Sequence, residues 1–166
     1  MSEKIGRKLM EKNRIGIAGE FYTLAQLSHR DYIATFTMGN AKGVDILVTN
    51  SDLNRVYLVE VKTTTKLPRK ESLFGDEKFY IWAMSKKHEN RSEDNLIYCF
   101  VFLPTPSEKP KYFLVHSKEV ARYVKWQHEH WLGTRKKTVK DTSMRNFRIE
   151  ASDPNSYEDN WGIFEI

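Results

Sequence analysis

The sequence predicts an α/β fold built on a mixed central sheet flanked by helices. Three observations support this prediction. Apolar residues recur at helical spacing in residues 14–29, three β-type runs with short connections follow, and residues 95–103 form an uninterrupted apolar run. The chain length of 166 residues favours one domain over residues 1–166, in which residues 1–13 form either a mobile arm or a first helical turn.

The first half of the chain is predicted to form one helix and three strands. Residues 14–29 carry the apolar stripe of the helix. Residues 32–38, 44–49 and 56–65 are rich in β-branched and aromatic side chains, which favour strands. Their connections are too short for a parallel crossover, so we expect an antiparallel meander.

The middle of the chain adds a central strand. Residues 66–76 are predicted as a basic loop, and residues 79–84 fit either a strand or a helix. Ser85 suits the N-cap of a short polar helix. Residues 95–103 are predicted as a strand buried on both faces, because no charged residue interrupts them, and residues 111–115 pair with this strand.

The last third is predicted to contain a second helix, with Ser117 as its N-cap and Gly133 at its end. The closing WGIFEI suits a short edge strand. Cys99 is the only cysteine, which excludes an internal disulfide and a multi-thiolate metal site. A reduced thiol, a charged start and the lack of a membrane-length apolar run favour a cytoplasmic protein with no membrane partner.

The charge balance favours a polyanionic partner. Lysine and arginine outnumber aspartate and glutamate by 27 to 22, which gives a net charge of +5. The sequence contains no HExxH, no Cys-His cluster and no glycine-rich phosphate loop. We therefore expect neither a zinc site nor a nucleotide cofactor.

Three ionisable residues interrupt the two apolar runs within residues 43–62. Asp45 lies in the first run, and Glu60 and Lys62 lie in the second. Strand side chains alternate between faces, so Glu60 and Lys62 share a face with Leu58. An acid beside a base, with another acid on a neighbouring strand, indicates a Mg²⁺ or Mn²⁺ site. The alternative is a solvated charge ladder to which Asp45 is unrelated.

In the metal-site interpretation, Asp45 and Glu60 are metal ligands, and the backbone carbonyl of Val61 is a third oxygen donor. Lys62 would hold the scissile phosphate, orient the attacking water or, with a lowered pKa, act as a base. Glu20 lies within the apolar stripe of the first helix, where a carboxylate must either reach the rim or meet a partner.

This arrangement resembles the PD-(D/E)xK nuclease superfamily, which includes restriction endonucleases and archaeal Holliday-junction resolvases. The resemblance covers residues 14–65, and Val44 stands where the superfamily's name has proline. The helix expected between the third and fourth core strands is poorly marked in this sequence. The matching residues are Glu20 in GEFYTLAQL, Asp45 in GVDILV, and Glu60, Val61 and Lys62 in VYLVEVKTTT.

The resemblance implies a restriction endonuclease-like α-β-β-β-α-β core and Mg²⁺- or Mn²⁺-dependent hydrolysis of DNA. Asp45 and Glu60 would be metal ligands, Lys62 the catalytic lysine and Glu20 an auxiliary acid. It is also compatible with a homodimer, because many small nucleases of this kind dimerise to cut two strands. Two other functions stay open: a module of the same fold that binds nucleic acid without cutting it, and a protein-interaction module.

Basic and hydroxyl side chains beyond Lys62 are candidates for contacts with nucleic acid. Thr64, Lys66, Arg69 and Lys70 extend the edge of the sheet beside the predicted metal site. A strand-forming threonine and a solvated loop are the alternatives at these positions. A second basic tract, for which solvated surface is the alternative, contains Arg135, Lys136 and Lys137.

Overall fold

The first helix is longer than the sequence predicts. The computed structural model describes residues 2–38, 43–49, 55–134 and 140–164, with side chains from residue 11 onward. Helix α1 spans Ser2–His29, so the helix includes residues 2–13, for which the sequence left a mobile arm open. The second helix, α2, spans Ser117–Thr134.

The described residues contain eight strands in two sheets. The strands are β1 (Ile33–Phe36), β2 (Ile46–Thr49), β3 (Val56–Thr64), β4 (Arg69–Lys70), β5 (Lys78–Ser85), β6 (Leu96–Phe102), β7 (Lys111–His116) and β8 (Met144–Glu150). The central sheet has the order β1-β2-β3-β6-β7. β3 and β6 are parallel and the other pairs are antiparallel, which confirms the meander and the mixed sheet.

The connection from β3 to β6 differs from the α-helix that the family resemblance implied. It contains β4, a 3₁₀ helix at Ser72–Phe74, β5 and a second 3₁₀ helix at Lys86–Asn90. β5 pairs with β4 and β8 to form a smaller antiparallel sheet. Strand periodicity explains the difference, because alternate residues Tyr80, Trp82 and Met84 enter one hydrophobic core.

Both faces of the central sheet are covered. On one face, Ile97, Cys99 and Val101 of β6 pack in a core with residues of α1 and of a 3₁₀ helix at Trp161–Phe164. On the other face, Tyr98 and Phe100 pack with the smaller sheet and α2. β6 is buried along its whole length, which confirms the predicted central strand. Residues Trp161–Phe164 form this 3₁₀ helix rather than the predicted edge strand, and the last two residues of WGIFEI lie outside the described residues.

Cys99 and Ser117, the predicted N-cap of the second helix, are both buried. Burial raises the pKa of the Cys99 thiol to about 12, so the thiol stays protonated at neutral pH. The Ser117 hydroxyl donates to the carbonyl of Glu93 at 2.6 Å and ties the start of α2 to the loop before β6. Within the described residues, no helix has the length and apolar character needed to cross a membrane.

Candidate active site

Glu60 and Lys62 form an ion pair along one face of β3. The Nζ of Lys62 lies 2.6 Å from the Oε1 of Glu60. Glu60 is 1% exposed, whereas the Lys62 side chain is 26% exposed. The pair is therefore not the solvated charge ladder of the alternative interpretation, because its acid is buried and its base reaches the surface.

Two residues from the β3–β6 connection bind the same carboxylate. His88 Nε2 lies 3.1 Å from Glu60 Oε1, and Arg91 Nη1 donates to Glu60 Oε2 at 2.8 Å. Burial alone would raise the pKa of Glu60. The hydrogen bond from His88 and the charge of Lys62 outweigh it and lower the pKa to about 2. Glu60 is thus a fully ionised carboxylate at neutral pH.

Asp45 lies directly before β2 and is held there by the neighbouring strand β3. Its Oδ2 accepts the N–H of Val61 at 2.7 Å, and its own N–H donates to the carbonyl of Val59 at 2.8 Å. Burial raises the pKa of Asp45, and the charge of Glu60 adds to this rise. The Val61 hydrogen bond and the charge of Lys62 oppose it without reversing it. The surroundings of Asp45 therefore favour its protonated form more than water does.

Gly19 lets α1 approach β3 closely, and the next residue, Glu20, is thereby brought near Asp45 and Lys62. A Cβ added at Gly19 would lie 1.9 Å from the Thr63 hydroxyl oxygen, so only glycine fits this contact without a shift. The pKa of Glu20 is raised by partial burial and by the charge of Asp45, and it is lowered by the charge of Lys62. Glu20 consequently belongs to one charged cluster with Asp45 and Lys62.

The donor set of this cluster fits a hard divalent cation in part. Glu20 and Asp45 are carboxylates whose pKa values are raised by burial, and a bound cation would favour their ionised forms. Both oxygens of Glu60 already have cationic or histidine partners. Among the described residues, no three His, Cys, Asp or Glu side chains are arranged to hold a metal ion.

The predicted nucleic-acid contacts fall into three groups. Thr64 is buried, and its hydroxyl accepts the N–H of Lys66 at 3.3 Å. Lys66 is exposed, whereas the exposed Arg69 and Lys70 pair with Glu71 and Asp76. The third group, Arg135, Lys136 and Lys137, lies outside the described residues.

A groove of about 580 Å³ begins where β3 continues beyond Lys62. We call it the basic groove: Lys12 and Ile15 of α1, residues 63–67, Arg69, and Ile81, Ala83, Met144 and Asn146 of the smaller sheet line it. None of these lining residues is acidic. The hydroxyl of Thr63 is buried there and has no hydrogen-bond partner among the described residues.

Sequence reasoning missed His88 and Arg91. They lie 28 and 31 positions after Glu60, and no local pattern connects them to it. Gly43 was also missed: its φ of 74° favours glycine, and an added Cβ would lie 2.1 Å from Arg91 Nη1. Arg145 and Arg148 of β8 are also buried, and they form ion pairs with Glu89 and Glu71.

Among known proteins, the chain has similarity to solved structures. No protein-family model and no curated protein match the chain. Among solved structures, the chain is similar to Hjc of Archaeoglobus fulgidus, described as a Holliday junction resolvase from an archaeal hyperthermophile. The identity is 15% and the TM-score 0.42, over 82% of this chain and 84% of that one. At this similarity, we assign function from the chain's own residues.

Proposed function

We propose that the chain is a Mg²⁺- or Mn²⁺-dependent nuclease that hydrolyses phosphodiester bonds of DNA. One observation carries the proposal. Glu20, Asp45 and the Glu60–Lys62 pair come from a helix and two strands, yet they form a single charged cluster against an apolar sheet. Ionisable groups gathered in this way are costly to fold, so their convergence favours a functional site.

The residues divide the chemistry between acids and a base. Asp45 and Glu20 would hold the cation, with Glu60 and the carbonyl of Val61 as further oxygen donors. A bound Mg²⁺ or Mn²⁺ would acidify a water molecule and offset charge on the phosphate. Lys62, held by Glu60 and partly exposed, is placed to bind the scissile phosphate or to orient that water.

The basic groove supports a polyanionic substrate. It runs from the end of β3, next to Lys62, and presents Lys12, Lys66 and Arg69 without an acidic side chain in its lining. Neutralising phosphates with such cations supplies most of the affinity of sequence-independent DNA binding. The groove would therefore guide a DNA strand to the charged cluster.

We also propose that the protein assembles as a homodimer and is located in the cytoplasm.

Plasmid cleavage tests the proposed function. We expect the purified protein to nick supercoiled DNA with Mg²⁺ or Mn²⁺, and Lys62→Ala to reduce the rate roughly 100-fold or more. Lys111→Ala is the matched control, because Lys111 also pairs with a carboxylate, that of Glu158, at 2.8 Å. Cleavage that survives a chelator, or equal rates for wild type and Lys62→Ala, would refute the proposal.

A second candidate function is nucleic-acid binding without cleavage. The observation that favours it is that Lys62, His88 and Arg91 already occupy both oxygens of Glu60. A binding module would retain DNA at low salt without any divalent cation, and Glu60→Ala would leave that affinity unchanged. Filter binding with and without chelator, next to the plasmid assay, separates the two functions.

A further inference from the structure

His88 is placed by the smaller sheet independently of Glu60. Its Nδ1 lies 3.0 Å from the backbone nitrogen and 2.9 Å from the carbonyl oxygen of Ser85, and its Nε2 donates to the Oε1 of the ionised Glu60 carboxylate, which can only accept. Ser85 is the last residue of β5 and pairs with Met144 of β8. The imidazole is only 3% exposed. The ring therefore has one orientation, which the backbone of Ser85 fixes on the side opposite Glu60.

The 3₁₀ helix that carries His88 is anchored at two further points. Lys86 donates its backbone N–H to the carbonyl of Ser143 at 2.8 Å. Glu89 forms an ion pair with Arg145, which is 2% exposed. Since these contacts do not involve β3, the smaller sheet sets where His88 meets Glu60.

Arg91 fixes the second oxygen of the same carboxylate. Its Nη1 donates to Glu60 Oε2 at 2.8 Å and to the carbonyl of Gly43 at 2.7 Å. With His88 on one oxygen and Arg91 on the other, the plane of the Glu60 carboxylate cannot turn without breaking a buried hydrogen bond. Lys62 then has a fixed acceptor, Oε1, for its ammonium group.

We propose that His88 is a positioning residue that, together with Arg91, orients the Glu60 carboxylate and through it holds the Lys62 ammonium at Oε1. His88 touches neither substrate nor cation in this role. The inference rests on the proposed function, which gives the positioned Lys62 its task. Removing a residue that hydrogen-bonds to a metal ligand typically lowers metal affinity or activity by roughly 10–100-fold.

A second buried histidine offers a matched control. His128 on α2 is also a buried histidine, and its Nε2 lies 2.7 Å from the carboxylate of Asp141. The two histidines therefore share burial and a carboxylate partner, but only His88 contacts the candidate active site. A purely structural role for buried histidine pairs would make the two substitutions equivalent.

The experiment compares wild type with His88→Ala, His88→Gln and His128→Ala. We expect His88→Ala to weaken Mn²⁺ binding in calorimetry and to lower kcat for plasmid nicking, each by roughly 10–100-fold, with KM for DNA unchanged. His88→Gln should restore most of both, because its amide N–H can donate to Oε1. His128→Ala should match wild type in Mn²⁺ affinity and kcat.

A crystal structure of metal-free His88→Ala separates this inference from the proposed function. We expect the Glu60 carboxylate to turn and the Lys62 Nζ to leave Oε1. Unmoved Glu60 and Lys62 side chains, or equal effects of His88→Ala and His128→Ala on Mn²⁺ affinity, would overturn the inference. A wild type that neither binds Mn²⁺ nor cuts would overturn the proposed function, while the crystal structure still decides the positioning. If His88→Ala fails to fold, His88→Asn takes its place in the same measurements.

Discussion

At the scale of single residues, Glu60 shows how a buried charge is tolerated in an apolar sheet. Its carboxylate is 1% exposed, so desolvation opposes ionisation, yet three donors keep it ionised. Asp45 and Glu20 show the opposite balance, with raised pKa values and too few donors. The fold thus favours the ionised form of Glu60 and disfavours the ionised forms of Asp45 and Glu20.

The lowered pKa of Glu60 predicts acid-dependent stability. In the unfolded chain the carboxyl titrates near 4.5, and in the folded protein near 2. The stabilisation is therefore fully present above pH 4.5 and is lost as the pH falls through 2. We expect the free energy of unfolding to lose about 3 kcal/mol over this window through Glu60. Denaturant unfolding between pH 5 and 2 should give a shallower pH dependence for Glu60→Gln, and an equal slope would contradict this.

At the scale of elements, the contact between α1 and β3 decides whether the site assembles. The antiparallel meander and β6 could be predicted from the sequence, because alternation and apolar runs are local signals. The connection that carries His88 and Arg91 could not, because those residues are placed by pairing between β5 and β8. Asp45, Glu60 and Lys62 were identifiable since they interrupt apolar strands, whereas His88 lies in an ordinary polar segment.

Two glycines of α1 provide a test of that contact. Gly19→Ala should destabilise the protein by about 1–3 kcal/mol, because the new Cβ meets Thr63 and overpacking outweighs the gain in helix propensity. Gly16→Ala should stabilise it by about 0.5–1 kcal/mol, since nothing lies within 4 Å of an added Cβ there. Thermal unfolding of both variants gives the measurement. The same sign of shift for both would show that α1 does not pack as described.

At the scale of the whole molecule, the central sheet lies between the two layers that supply residues to the candidate active site. One face packs against α1, which carries Glu20, and the opposite face packs against the smaller sheet, whose strand β5 leads into the 3₁₀ helix that contains His88. Trp82 of that sheet donates its Nε1 hydrogen to the carbonyl of Val101 in β6 at 3.0 Å, which ties the two sheets together. The basic groove lies where α1, the end of β3 and the smaller sheet meet.

The net charge of +5 and the basic groove predict salt-sensitive DNA binding. The logarithm of the affinity should fall linearly with the logarithm of the salt concentration, and Lys66→Ala should reduce that slope by about one. Lys118→Ala is the matched control, because Lys118 is exposed on α2 and pairs with Asp94 outside the groove. Fluorescence anisotropy with a labelled oligonucleotide gives the slopes. Equal slopes for wild type and Lys66→Ala would remove Lys66 from the interface.

The central claim is that Asp45 belongs to a divalent-cation site, and calorimetric titration with Mn²⁺ tests it most directly. Asp45→Asn keeps an oxygen that accepts the Val61 N–H but removes the charge, so the fold should persist and Mn²⁺ binding should fall at least about 100-fold. Asp153→Asn is the control, because Asp153 accepts two backbone N–H groups near the C-terminus of the described chain. Wild type and Asp153→Asn should bind alike. Equal Mn²⁺ affinity for wild type and Asp45→Asn, or no binding by either, would contradict the claim.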